Sequence, residues 1–211
     1  SYHEAGNALI AYFTKDADPV HKITIIPRGR ALGLTAQLPV DEKFNYSRSY
    51  LLAKLDVLMG GRCAEKLIFK DTSTGAGNDI AVATDIARKM VTEWGMCDKI
   101  GPLTFGKKSE EVFLGREISH SRDYSDKISA TIDINITLLV KDAEKRAADI
   151  LLKNINHLHS VAKALLEFES ISGLDMEKII KGEKIVRLDR VENDEKSSRR
   201  SSKNEARKNN N

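Results

Sequence analysis

Apolar residues along the chain fall into a few periodic runs that predict a mainly α protein with a small sheet. Leu9, Ile10 and Phe13 share one side of a helix spanning about residues 1–13. Asp18-Pro19 ends it, because proline disfavours helical geometry in the residue before it. Val20 to Ile26 is dense in β-branched residues and predicts a strand; Leu34–Leu38 predicts a second, with Pro27-Arg28-Gly29-Arg30 as turn chemistry and Pro39 closing the pair. Ser47 can cap a helix through Tyr50, Leu51, Leu55 and Leu58, which Gly60-Gly61 is expected to interrupt before Ala64, Leu67 and Ile68 continue the stripe. After the polar stretch Thr72–Asn78, Ile80, Ala83, Ile86, Ala87, Met90 and Val91 mark a helix from about Asp79 to Trp94-Gly95. Residues 101–115 read as loop. A long helix starting at Ser119 or Ser121 carries Ile128, Ile132, Leu139, Ala143, Ala147, Ile150 and Leu151 to about Lys153. Shorter helices at His157–Phe168 and Leu174–Lys181 complete an expected C-terminal helical bundle.

Composition narrows this picture. The chain has 211 residues, 41% hydrophobic and 31% charged, enough for one core with solvated outer faces. No window approaches the roughly 18 apolar residues of a membrane span, and no leader sequence is visible. The opening residues are already motif, so the chain reads as a piece of something longer. Net charge is +3, and the excess lies in residues 193–211, where Lys196, Arg199, Arg200, Lys203, Arg207 and Lys208 face Asp194, Glu195 and Glu205. A neutral body argues against nucleic acid as a partner. The expected organisation is a domain over 1–190 and a disordered basic tail over 191–211, which lacks apolar residues to offset its ordering entropy. Cys63 and Cys97 lack metal or disulfide spacing and read as buried thiols.

Chemistry concentrates at the start. In the pattern H-E-x-x-H, two histidines four residues apart share a helix face and grip a metal, with the glutamate as general base. His3 and Glu4 fit, but Asn7 stands at the second histidine. Catalytic zinc usually takes three protein ligands and a water. Asp79, just after the turn Thr74-Gly75-Ala76-Gly77-Asn78, is a candidate carboxylate ligand; it or Asn78 could equally be a simple helix cap. His21, His120, His157 and His159 lack ligand spacing with His3.

From His3 to about Ile180 the chain resembles the peptidase domain of the FtsH family, membrane-anchored, ATP-dependent zinc metallopeptidases. The resemblance rests on His3-Glu4-Ala5-Gly6, Asp18–Gly29, Gly33–Pro39, Leu58–Glu65, Thr74–Asp79, Trp94-Gly95-Met96 and Phe113–Glu117, all in family order. It implies a helical zinc-peptidase fold with a two- to three-stranded sheet. It assigns His3 and Asp79 as zinc ligands, Glu4 as the base, and the remaining ligand to the position of Asn7. The implied chemistry is a zinc-polarised water deprotonated by Glu4, attack on the peptide carbonyl, and return of the proton to the leaving amine. It further implies homo- or hetero-hexameric rings, with residues 47–93 as interface, and a separate ATPase module using ATP and magnesium. Substrates would be unfolded or membrane polypeptides. The setting would be a mitochondrial or plastid membrane, toward which the asparagine-rich end and lysine-heavy composition lean, or alternatively a bacterial inner membrane.

Asn7 changes that expectation. An amide oxygen is a poor zinc donor and the side chain is shorter than histidine, so zinc affinity should fall by several orders of magnitude, beyond the ~10–100-fold of losing an outer hydrogen bond. Three explanations remain: an engineered or chance inactive variant, a natural pseudo-peptidase kept for assembly or unfolding, or another group completing the site.

Overall fold

A computed structural model describes residues 1–27, 33–37, 45–106 and 124–185. Among these residues, six helices and three strands follow the order α1 (Tyr2–Phe13), β1 (Val20–Thr24), β2 (Leu34–Gln37), α2 (Arg48–Phe69), α3 (Gly77–Thr92), α4 (Asp126–Lys153), α5 (Ile155–Phe168), β3 (Ser170–Ser172) and α6 (Gly173–Ile180). A short 3-10 turn, Thr74–Ala76, leads into α3. The protein is mainly α with a small sheet, as the periodicity predicts. The turn at 28–30, Leu38 and Pro39, the segment 113–117, Ser119, His120 and the tail from 191 lie outside the described residues.

Helix α1 is the axle of the fold. Ala5 to Ala11 are all buried along it, and it packs on α2 and α5 and against β1. Gly60 and Gly61 do not interrupt α2, which runs unbroken from Arg48. They are where α1 and α2 touch. A β-carbon on Gly6 would lie 2.5 Å from the Gly60 carbonyl oxygen, one on Gly60 would lie 2.8 Å from the Gly6 carbonyl oxygen, and one on Gly61 would strike the His3 ring. The absent side chains let two backbones meet, a gain that outweighs glycine's poor helix propensity. Ser47 caps α2 as expected, accepting a hydrogen bond from the Tyr50 N–H.

The far end of α2 rests on α4, with α3 beside both. Helix α4 is capped by Ser125, which accepts from the Ile128 N–H; Ser119 and Ser121, the starts expected from sequence, lie outside the described residues. Its buried side chains Ile132, Ile136, Ala143, Ala147 and Leu151 hold the predicted helical period. The late helices pack beside the first half and share one continuous core with α1 and α2, in which Leu9, Ile10, Ile23, Leu55, Met90, Leu151, Leu158, Leu165 and Ile171 are fully enclosed.

The sheet order is β2-β1-β3, with β1 antiparallel to both neighbours. Ile23 pairs with Thr35 on one side and with Ile171 on the other. The third strand comes from far along the chain and is fixed at once by α6, whose capping box has Ser172 and Asp175 bonding each other's backbone N–H. Strand β2 has β1 as its only partner among the described residues, so its outer edge keeps backbone groups free for pairing.

Candidate metal centre

Three elements deliver the site. The first two turns of α1 carry His3, Glu4 and Asn7; α3 brings Asp79 in its own first turn; α2 crosses beneath with Gly61 and Glu65. Asp79 is not a cap. Ala76 holds the cap position of α3 without any side-chain bond, which leaves the carboxylate free to point at α1.

His3 Nε2 lies 3.1 Å from Asp79 Oδ2. Zinc bond lengths near 2.0–2.2 Å at a tetrahedral angle place two ligand atoms about 3.3 Å apart, so these two groups are spaced as if around one small cation. On the other side of the ring, His3 Nδ1 is 3.0 Å from Glu65 Oε1. A carboxylate there fixes the ring's rotation and keeps Nε2 aimed at the centre. Glu65 is itself held by Ser73, whose backbone N–H and hydroxyl donate to Oε2 at 3.2 and 3.0 Å. Burial disfavours the charged His3 ring. The hydrogen bonds to Asp79 and Glu65, with the nearby Glu4 and Asp79 charges, outweigh it and raise the pKa above that of an ordinary histidine. When both ring nitrogens carry protons, the ring can donate to both carboxylates.

Glu4 is positioned from the sheet. The Thr35 hydroxyl donates to Glu4 Oε2 at 2.7 Å, and Gly33 leaves room for the carboxylate, since a β-carbon there would sit 2.6 Å from Oε1. This ties α1 to strand β2, beside the edge that has no strand partner among the described residues.

Asn7 is buried in the helix contact, and both ends of its amide are engaged. Its Oδ1 accepts from the Gly61 backbone N–H at 2.5 Å, and its Nδ2 donates to Asp79 Oδ2 at 3.4 Å. A backbone N–H requires an acceptor and a carboxylate requires a donor, so the two partners set the amide's orientation. The end that faces Asp79 and His3 is therefore the NH2 end, which has no lone pair for a metal. Two of the three expected donors fit zinc; the third does not. Among the described residues there is no group of three or more His, Cys, Asp or Glu able to hold a metal ion.

Among the described residues, the other histidines, His21, His157 and His159, stay apart from this cluster. His21 is exposed on β1. His159 Nδ1 is 2.8 Å from the Tyr2 hydroxyl, and His157 lies against the Phe13 ring. Cys63 and Cys97 are buried free thiols, and burial pushes the Cys63 thiol up to about 12, with Glu144 adding to the shift. Sequence reading missed Glu65 and Thr35. The sequence hints at Glu65 only by placing it at the end of the family-like segment Leu58–Glu65, four residues after Gly61.

A family model described as peptidase family M41 matches residues 1–179. The chain is similar to the ATP-dependent zinc metalloprotease FtsH 1 of Thermoanaerobacter sp., with 51% identity over 185 residues, covering 88% of this chain and 30% of that protein. It is 50% identical over 188 residues to the ATP-dependent zinc metalloprotease FtsH of Endomicrobium trichonymphae, covering 89% of this chain and 30% of that protein. The protein of that name from Caldicellulosiruptor bescii is 49% identical over 180 residues, covering 85% of this chain and 29% of its own length. The chain thus spans about 30% of the length of these curated relatives. Among the described residues, no helix is long and apolar enough to cross a membrane.

Proposed function

From the premise that this chain belongs to peptidase family M41, we propose that it is the peptidase domain of an FtsH-type, ATP-driven, membrane-anchored protease whose metal centre is disarmed at Asn7. The observation that carries this reading is the survival of every other part: His3, Asp79 and Glu65 converge, and Glu4 is held beside the β2 edge. That edge offers a route for an unfolded polypeptide to add as an extra strand, with its carbonyls brought along the Glu4 side. Glu4 then supplies a carboxylate within reach of a scissile bond. Without an imidazole at position 7 the centre has no third donor, so the chain as it stands cleaves peptide weakly or not at all.

The rest of the machine is proposed from the relatives, which are ATP-dependent zinc metalloproteases. A nucleotide-hydrolysing module with ATP and magnesium feeds unfolded or membrane polypeptides to a homo- or hetero-hexamer, with the α2–α3 face as a subunit contact. The host membrane is a mitochondrial or plastid one, with a bacterial inner membrane as the alternative; fractionation of the tagged full-length protein separates them. The test of the function is casein degradation by the full-length protein with ATP, beside its Asn7→His form. Cleavage regained together with one tightly held zinc per chain supports a disarmed peptidase.

A second reading has its own support. The Asn7 amide is fully engaged with Gly61 and Asp79, as befits a site settled into a metal-free state. In that reading the domain is a pseudo-peptidase, a ring scaffold for ATP-driven remodelling. Zinc binding restored without cleavage in Asn7→His full-length protein would favour it.

A further inference from the structure

We infer that the Asn7 side chain takes the structural place of a metal ion in this chain, tying α1, α2 and α3 together so that the fold is complete and indifferent to zinc. The inference concerns folding and metal binding, and it stands whether the whole protein is a disarmed peptidase or a scaffold.

Three elements converge on one small polar region. A site that contributes an imidazole and a carboxylate needs something between the two helices that satisfies the carboxylate and is anchored to the helix behind. Here the Asp79 Oδ2 atom receives two contacts, from His3 Nε2 at 3.1 Å and from Asn7 Nδ2 at 3.4 Å. The amide's other end is fixed to the α2 backbone by the Gly61 N–H. One planar group thus spans from the middle of α2 to the first turn of α3 while belonging to α1. Asn7 is 9% exposed, so these bonds are shielded from competing water, and losing either partner leaves a buried polar atom unpaired.

The same bonds oppose zinc. To offer Oδ1 to a cation beside His3 and Asp79, the amide must turn half a revolution. That turn abandons the Gly61 N–H and places the NH2 group against it, donor facing donor. Nor can the backbone shift toward α2 to make room for the turned amide, because a β-carbon on Gly60 would already lie 3.0 Å from the Asn7 Cα. A helix contact this close holds the amide where it is.

Thermal unfolding of this chain, with zinc removed by chelator and with zinc added, tests the inference beside the Asn7→His and Asn7→Ala variants. Equilibrium dialysis against zinc is run on the same samples. This chain should melt at one temperature in both conditions. Asn7→His should bind zinc at least about 100-fold more tightly than this chain and should melt higher with zinc than without. Asn7→Ala should melt about 5 °C below this chain in chelator, since two buried bonds are lost. A zinc-dependent rise in this chain's melting temperature matching that of Asn7→His would overturn the inference. So would an Asn7→Ala melting temperature equal to that of this chain in chelator, because the amide would then tie nothing.

Discussion

Glu65 grips His3 from behind the ring, 3.0 Å from Nδ1, and its other oxygen is secured by Ser73. Its effect on any metal bound at Nε2 is indirect: it sets the ring's rotation and its basicity. In an Asn7→His background, Glu65→Gln should weaken zinc binding ~10–100-fold, measured by competition with a chromogenic chelator. The urea midpoint of the metal-free protein should move far less, because a glutamine amide can still bond one of the two partners. His3 and Glu4 stand out in the sequence because their spacing carries chemistry, and Asp79 because the family resemblance assigns it a ligand role where local sequence leaves a helix cap equally open. Glu65 does not, since a glutamate on a helix looks like any solvated charge until a second helix is laid across it. The tie made by Asn7 was illegible for a similar reason: its acceptor end is used by a backbone N–H, which no side-chain pattern encodes.

Elements meet here through absence as much as through bulk. Gly60→Ala would be expected to stabilise an isolated helix by up to about 1 kcal/mol. In this fold its β-carbon would come within 2.8 Å of the Gly6 carbonyl and 2.9 Å of Ile10 Cγ1, so α1 and α2 would have to separate. The expected result is a loss of about 1–3 kcal/mol, read from urea denaturation; a gain would show that the contact is looser than its geometry. Reading that glycine pair as a break was the main error at this scale, because its packing role exists only once α1 is in place. Farther along, α2 and α4 are joined by Asp56 and Arg146, with the Arg146 Nη2 2.7 Å from Asp56 Oδ1 and the guanidinium Nε bonded to both oxygens. Burial raises the Asp56 pKa despite the arginine, whose charge and bonds pull it back down. Arg146→Met strands that carboxylate. The loss at neutral pH should be about 2 kcal/mol, below the ~3–5 of a fully enclosed pair, since Arg146 keeps 42% of its side chain in solvent. In the variant the folded-state pKa of Asp56 stands still further above its unfolded value. Its neutral form is therefore favoured by folding, and stability falls as pH rises from the unfolded value through the folded one. The gap between the two proteins should accordingly narrow as pH is lowered toward the ordinary aspartate range, in denaturation curves taken at stepped pH.

At the scale of the whole molecule, the question is whether the site end and the late helices melt as one body. Helix and strand types were readable from period and β-branching. Strand β3 was not assigned, because Ser170–Ser172 is too short to show alternation and gains its pairing only from β1 some 150 residues earlier. That same pairing, with α1 seated on α2, α4 and α5, gives a single core cluster running from Ala5 to Met176. A shared core makes local damage global. Leu9 is fully enclosed near the middle of α1, and Leu9→Ala should cost ~2–5 kcal/mol through lost burial and the cavity left behind. Trp94, the chain's sole tryptophan, stands just past α3 and lines a hollow with Met96 and with Leu51 near the start of α2. Its fluorescence reports that corner, while far-UV circular dichroism is dominated by the helices as a set. With one cooperative body, both signals should shift to the same lower urea midpoint in Leu9→Ala. Two midpoints, with Trp94 retaining its original one, would mean that the α3 end folds independently of α1. The three-helix convergence at His3, Asn7 and Asp79 would then be held by its own hydrogen bonds and not by the core beneath it.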